Sequence, residues 1–159
     1  AFNLIRWRTF MNILSILENQ KKKTNSVILD DSLCDYKISA RKHLELQVKL
    51  SMLAEETQCY KYWIDNNTKV DTERIFAKYL DFLAYIIRFG IDKNYISSID
   101  MEIKYTDDCL SDQFLNLYID INDLIISPSE DHFLTLLEDT LILGESLGYS
   151  ESEILSAFI

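Results

Sequence analysis

Val48-Lys-Leu-Ser-Met-Leu-Ala-Glu-Glu-Thr-Gln-Cys-Tyr-Lys-Tyr-Trp63 contains neither Gly nor Pro, and its side chains repeat at helical spacing. Leu46, Leu50, Leu53 and Thr57 mark one stripe, and Lys49, Met52, Glu56 and Cys59 mark another. The period predicts a long helix from about Ser39 to Trp63, closed by the breaker cluster Asp65-Asn66-Asn67.

The same pattern recurs on both sides. Downstream, Ile75, Tyr79, Phe82, Ile86 and Phe89 predict a helix opened by Asp71 or Thr72 as N-cap and stopped at Gly90 as C′ residue. Upstream, Leu4, Trp7, Met11, Leu14 and Leu17 predict a first helix over about Asn3 to Gln20. Lys21, Lys22 and Lys23 then read as a solvated helix end or loop. Val27 to Tyr36 is short and ambiguous, and Asp92 to Asp108 reads as a polar loop with a short helix. A fourth helix covers about Ser111 to Ile125. Pro128 sits near the first turn of a fifth, which ends around Gly144 to Gly148. Ser150 with Glu153 forms a capping box for a last short helix.

The expected fold is therefore all-α: a compact bundle of five or six helices in one domain spanning 1–159. Met11 is a candidate natural start, which would make residues 1–10 vector-derived or an N-terminal extension. Three Gly and one Pro are too few for the turns of a β-sandwich and leave no glycine-rich phosphate loop. A formal net charge of −10 without a basic stripe argues against a nucleic-acid partner. No apolar run has the length of a membrane span, and no secretory leader is read at the start. Cys34, Cys59 and Cys109 form no CxxC pair, so reduced thiols in a cytoplasmic protein are expected. His43 and His132 stand far apart, and no zinc site is read.

Residues 48–63 resemble the second-helix motif of the dimeric all-α dUTPases, V-E-L-G-E-L-A-N-E-T-R-C-F-K-Y-W, within the NTP pyrophosphatase superfamily that includes MazG. The likeness rests on Val48, Leu50, Leu53, Ala54, Glu56, Thr57, Cys59, Lys61, Tyr62 and Trp63. Tyr79-Leu-Asp-Phe-Leu-Ala-Tyr-Ile-Ile-Arg-Phe-Gly-Ile91 is similar to the family's next helix, and Gly144-Glu-Ser-Leu-Gly-Tyr-Ser-Glu-Ser-Glu-Ile154 to its L-G-x-x-L-G-F-S-x-E-E-I segment.

The resemblance implies Mg²⁺ held by an ExxE pair on one helix and an ExxD pair on the next. Residues three apart share a helix face, so two packed helices can converge four carboxylates on ions that bridge a triphosphate. Here the matching positions are Lys49, Met52, Lys78 and Asp81. Asp81 is the one surviving ligand position, and the formal charge is about +1 rather than about −4. No bound metal or other cofactor is expected unless the chain is active with relocated ligands.

By the same resemblance Gln20, Glu56, Lys61 and Trp63 are nucleotide-binding candidates. From the residues alone, Glu56 reads as a surface or ion-pair residue, Trp63 as core or interface, and Lys61 as solvated. The family's later phosphate-binding segment, containing Asn and Arg, would begin where this sequence stops, at Ile159.

Three functions remain open at this level. The first is a catalytically degenerate homologue that binds a nucleotide or a regulatory protein, as a homodimer or as a heterodimer with a family member. The second is an active dUTP diphosphatase or related pyrophosphatase with relocated ligands, for which Mg²⁺ would be the cofactor. The third is an unrelated helical interaction module.

Overall fold

A computed structural model describes residues 9–159. Six helices and one two-stranded ribbon follow in the order β1 (Thr9–Asn12), α1 (Leu14–Thr24), α2 (Asp35–Thr57), α3 (Thr72–Lys93), β2 (Asp100–Ile103), α4 (Leu110–Ile126), α5 (Glu130–Ser146) and α6 (Glu151–Ser156). The expected all-α bundle is the fold found.

Two antiparallel helix pairs form its frame. In α2 and α3, Lys49 meets Asp81 and Glu56 meets Arg74, which fixes the register of the pair. In α4 and α5, Gln113 bonds Ser146, and His132 bonds the Ser127 carbonyl. Helix α1 lies on α3, and α2 packs on α4. The core between them includes Leu46, Leu50, Leu53, Tyr79, Phe82, Ile86, Leu117, Ile121, Phe133 and Leu137, all within a few percent of complete burial. Burying each such side chain contributes about 1.5–3 kcal/mol. Tyr79 reaches across this core and donates its hydroxyl to the Thr140 carbonyl at 3.1 Å, so its one polar atom is satisfied.

Several boundaries differ from the sequence expectation. The N-terminal half of the expected first helix, with Leu4 and Trp7, lies outside the described residues. Thr9–Asn12 is a strand, because its backbone pairs with β2, inside the stretch expected to be a loop with a short helix. Helix α1 starts at Leu14 and runs through Lys21, Lys22 and Lys23, which fill its last turn, where cations suit the helix dipole.

Helix α2 ends at Thr57 rather than near Trp63: Gln58 turns left-handed at φ 54° and its N–H bonds the Ala54 carbonyl. Gly90 lies inside α3, not at its end. The helix continues to Lys93 and closes on Asn94 at φ 57°. Gly90 is small for another reason: a β-carbon there would collide with the ring of Phe133 on α5. Pro128 precedes α5, whose N-cap is Ser129. Asp71 caps α3, and Ser150 with Glu153 forms the capping box of α6, both as expected.

Candidate functional site

Lys49 and Asp81 face one another because α2 and α3 are antiparallel and each presents a helical stripe to the other. The Lys49 ammonium lies 2.8 Å from Asp81 Oδ2 and 3.8 Å from Glu45, one turn back on its own helix. It also sits 5.6 Å from the centre of the Tyr85 ring. The Lys49 side chain is 17% exposed and that of Asp81 46% exposed, so the pair lies at the rim of the helix pair rather than in its interior. Tyr85 closes the inner wall, donating its hydroxyl to the Lys42 carbonyl at 3.0 Å. Burial, and then the neighbouring Glu45 carboxylate, keep that phenol protonated far above neutrality.

The other two positions do not join this cluster. Met52 is 40% exposed beside Val48 on an apolar outer face of α2. Lys78 is half-buried and has no ion-pair partner among the described residues, although Asp81 is three residues away. Asp81 turns to Lys49 because the facing helix offers a cation at better geometry than its own helix does.

A Mg²⁺ site does not fit this arrangement. Mg²⁺ demands near-octahedral oxygen donors, whereas the one surviving carboxylate is bonded to an ammonium, with a thioether and a second lysine at the remaining positions. Among the described residues, no three His, Cys, Asp or Glu side chains are grouped to hold a metal ion.

The nucleotide-binding candidates fall at two ends of the bundle. Gln20 is fully buried on α1, with its Nε2 donating to Asn19 Oδ1 at 2.9 Å and its Oε1 without a donor among the described residues. Neighbouring residues of α1 lie against the C-terminal end of α3 near Gly90 and Asn94. Glu56, Lys61 and Trp63 lie at the opposite end. Glu56 is taken by Arg74 at 2.8 Å, the ion-pair role read from its residue type. Lys61 is not simply solvated: it bonds Asp65 at 3.0 Å and Thr68 at 3.2 Å. Its ammonium lies 5.8 Å from the Trp63 ring centre, and Trp63 packs edge-on to Tyr62 and Tyr60. The Lys61 side of this pair holds Asp65 below the usual carboxylate range. At 1.5 Å per residue, the 23 residues of α2 separate the two ends by roughly 34 Å.

Beyond the residues singled out by sequence, the structure adds a cavity of about 340 Å³ next to the Lys49 cluster. It lies between the C-terminal turn of α1, the following loop, the first half of α2 and the second half of α3. Val27, Leu29, Leu33, Ile38 and Phe89 form its apolar wall, and Arg41, Lys42 and Arg88 bring cationic groups to it. Lys42 is paired with Asp92 at 2.9 Å, whereas the buried Nε of Arg88 has no acceptor among the described residues. The signal for these residues was present as helical offset: Glu45 stands one turn before Lys49, and Tyr85 and Arg88 one and two turns after Asp81.

Searches of curated proteins and of solved structures return no match. A family model described as dUTPase matches residues 12–159, nearly the whole chain, and with it the six-helix fold agrees. This chain belongs to the all-α dUTPase family.

Proposed function

We propose that this chain is a catalytically degenerate member of its family, one that binds a nucleotide or a regulatory protein and does not carry out Mg²⁺-dependent pyrophosphate release. The observation that carries the reading is the Lys49–Asp81 ion pair at 2.8 Å, where the family's carboxylates would converge on metal. An ammonium neutralises a carboxylate but offers neither a Lewis acid for a phosphoryl oxygen nor a coordinated water. The adjoining cavity supports a nucleotide as ligand. It pairs an apolar wall with the Arg88 guanidinium, a good match for phosphate oxygens, on a lining that also carries Arg41, Lys42 and the carboxylates of Asp30, Glu45 and Asp92.

The test is direct. Purified protein with Mg²⁺ and dUTP should release no pyrophosphate above background. Calorimetry should detect a deoxyuridine nucleotide, with affinity reduced at least about tenfold by Arg88→Leu, the loss of one charge-assisted bond. Turnover that requires Mg²⁺ and vanishes in Asp81→Ala would instead establish the active alternative, for which Glu45 and Asp81, both close to Lys49, are the carboxylates at hand.

Assembly belongs to the same reading. Leu44, Val48 and Met52 on α2 and Leu115, Ile119 and Ile126 on α4 are all at least 40% exposed. The two helices are joined there by the uncharged contact between Gln47 and Asn122 at 3.2 Å. On a chain of net charge −10, an uncharged apolar face is where a second copy or a family relative meets least repulsion. Light scattering should show a dimer that the double variant Val48→Asp, Ile119→Asp converts to a monomer. A wild-type protein that stays monomeric across concentration, with no relative bound, would remove this part.

A further inference from the structure

Helices α4 and α5 carry a ladder of polar side chains through their apolar contact. At one end Gln113 Nε2 donates to Ser146 Oγ at 3.0 Å. At the other, Nδ1 of His132 donates to the Ser127 carbonyl at 2.6 Å. Asp120 and Asp139 stand midway, seven residues from each end rung on either helix, as an antiparallel pair in constant register requires. The end rungs therefore force the two carboxyl groups together.

The middle rung has no cation paired to it among the described residues. Asp120 is only 9% exposed, and its buried Oδ2 has no donor among the described residues. No Lys, Arg or His forms an ion pair with Asp120 or Asp139 among the described residues. The groups that the neighbouring elements bring, among the described residues, are mostly acidic or uncharged. On α4 itself, Asp123 adds a negative charge one turn away. The segment before α4 brings Asp108, which lines a cavity of about 50 Å³ with Asp139, Gln113 and Asn116. Helix α2 meets α4 through Gln47 with Asn122 and Ser51 with Tyr118. Helix α3 meets α5 through the Tyr79 hydroxyl on the Thr140 carbonyl. Strand β2 faces α5 at Leu141 and Glu145, with Glu102 and Lys104 nearby.

Two ionised carboxylates in this position would leave a buried acceptor facing like charge with nothing to offset it. One proton between them supplies the missing donor and halves the charge. Burial, followed by Asp139, accordingly pushes the Asp120 carboxyl up to about 8.

We propose that Asp120 and Asp139 form a proton-sharing latch between α4 and α5, closed while the pair holds one proton and loosened when that proton is released. The native chain then binds more protons than the unfolded chain from the ordinary Asp range up to about 8. Stability falls as pH rises through that window.

Thermal melts of the full chain and of Asp120→Asn and Asp139→Asn test the latch. Between about pH 6 and 9 the wild-type melting temperature should drop by about 4–8 °C more than that of either variant. An Asn amide supplies a permanent donor and cannot titrate, while His43, His132 and Asp108 remain in every protein compared. Parallel curves for wild type and both variants would overturn the proposal. If neither variant folds, carboxyl-carbon NMR of the wild type decides: one Asp side-chain resonance with a midpoint above about 6.5 supports the latch, and all midpoints below that overturn it.

Discussion

The α2–α3 and α4–α5 pairs face the same problem and differ by one ammonium group. Across α2 and α3, Glu45 and Asp81 converge on Lys49, which lies 3.8 Å and 2.8 Å from them. Across α4 and α5, Asp120 meets Asp139 with Asp123 close by and no cation among the described residues. The first pair is neutralised by a side chain, at a half-exposed rim where water screens what remains. In the second, Asp120 is buried and Asp139 half-buried, and a proton takes the part of the cation. One helix pair is thus expected to be sensitive to salt and to charge-changing substitution, and the other to pH.

The largest expected effect comes from abolishing this contrast on the α2–α3 side. The combined variant Lys49→Glu, Met52→Glu, Lys78→Glu places four carboxylates where the family has them. Mg²⁺ at a hundredfold excess over its dissociation constant should then stabilise the fold by about 2.7 kcal/mol, read as a rise in melting temperature absent from wild type. No Mg²⁺-dependent shift would mean that the four positions do not converge across α2 and α3.

Next is Lys49→Glu alone. It removes the cation between Glu45 and Asp81 and adds a third negative charge, for an expected loss of about 2 kcal/mol in urea unfolding at low salt. The loss should shrink as salt screens the rim.

The converse exchange is Asp139→Lys, which gives α4–α5 the cation that α2–α3 already has. Its melting temperature should exceed that of wild type at about pH 9 by a few degrees, and its dependence on pH above 6 should disappear. A variant that melts below wild type at that pH would show that the ladder cannot accommodate a longer side chain.

The smallest effect is Lys78→Glu. Three-residue spacing suggests a Lys78–Asp81 pair whose loss would matter, but Asp81 bonds Lys49 instead. The expected cost is about 0.5 kcal/mol, from placing like charges three apart on one helix. A loss as large as that of Lys49→Glu would restore Lys78 as the partner of Asp81.

The contrast also shows which parts of the site were legible beforehand. Lys49 and Asp81 stood out because a resemblance named their positions, and antiparallel packing brought them together. Asp120 drew no notice, since an Asp on a helix that also carries Asn116, Asn122 and Asp123 looks like an ordinary surface position. Its burial depends on what α5 places opposite, which the spacing within α4 does not specify. Trp63 shows the reverse case. It was placed at the end of a helix because the apolar pattern continues past Thr57, and the left-handed turn at Gln58 put it instead in an aromatic loop with Tyr60 and Tyr62.

By itself the sequence determined that the chain is helical and where α3 and α6 begin, because periodicity and the capping bonds at Asp71 and Ser150 act within a few residues of chain. It also determined that three of the four expected ligand positions lack a carboxylate. Only the tertiary structure decided which charges meet. Strand β1 formed because β2 lay alongside it, and Gly90 is glycine because Phe133 crosses there. Lys49 took Asp81 from Lys78, and Asp120 was left with another acid. Each of these depends on the register between elements distant in sequence, and that register is set by the packing of the whole core.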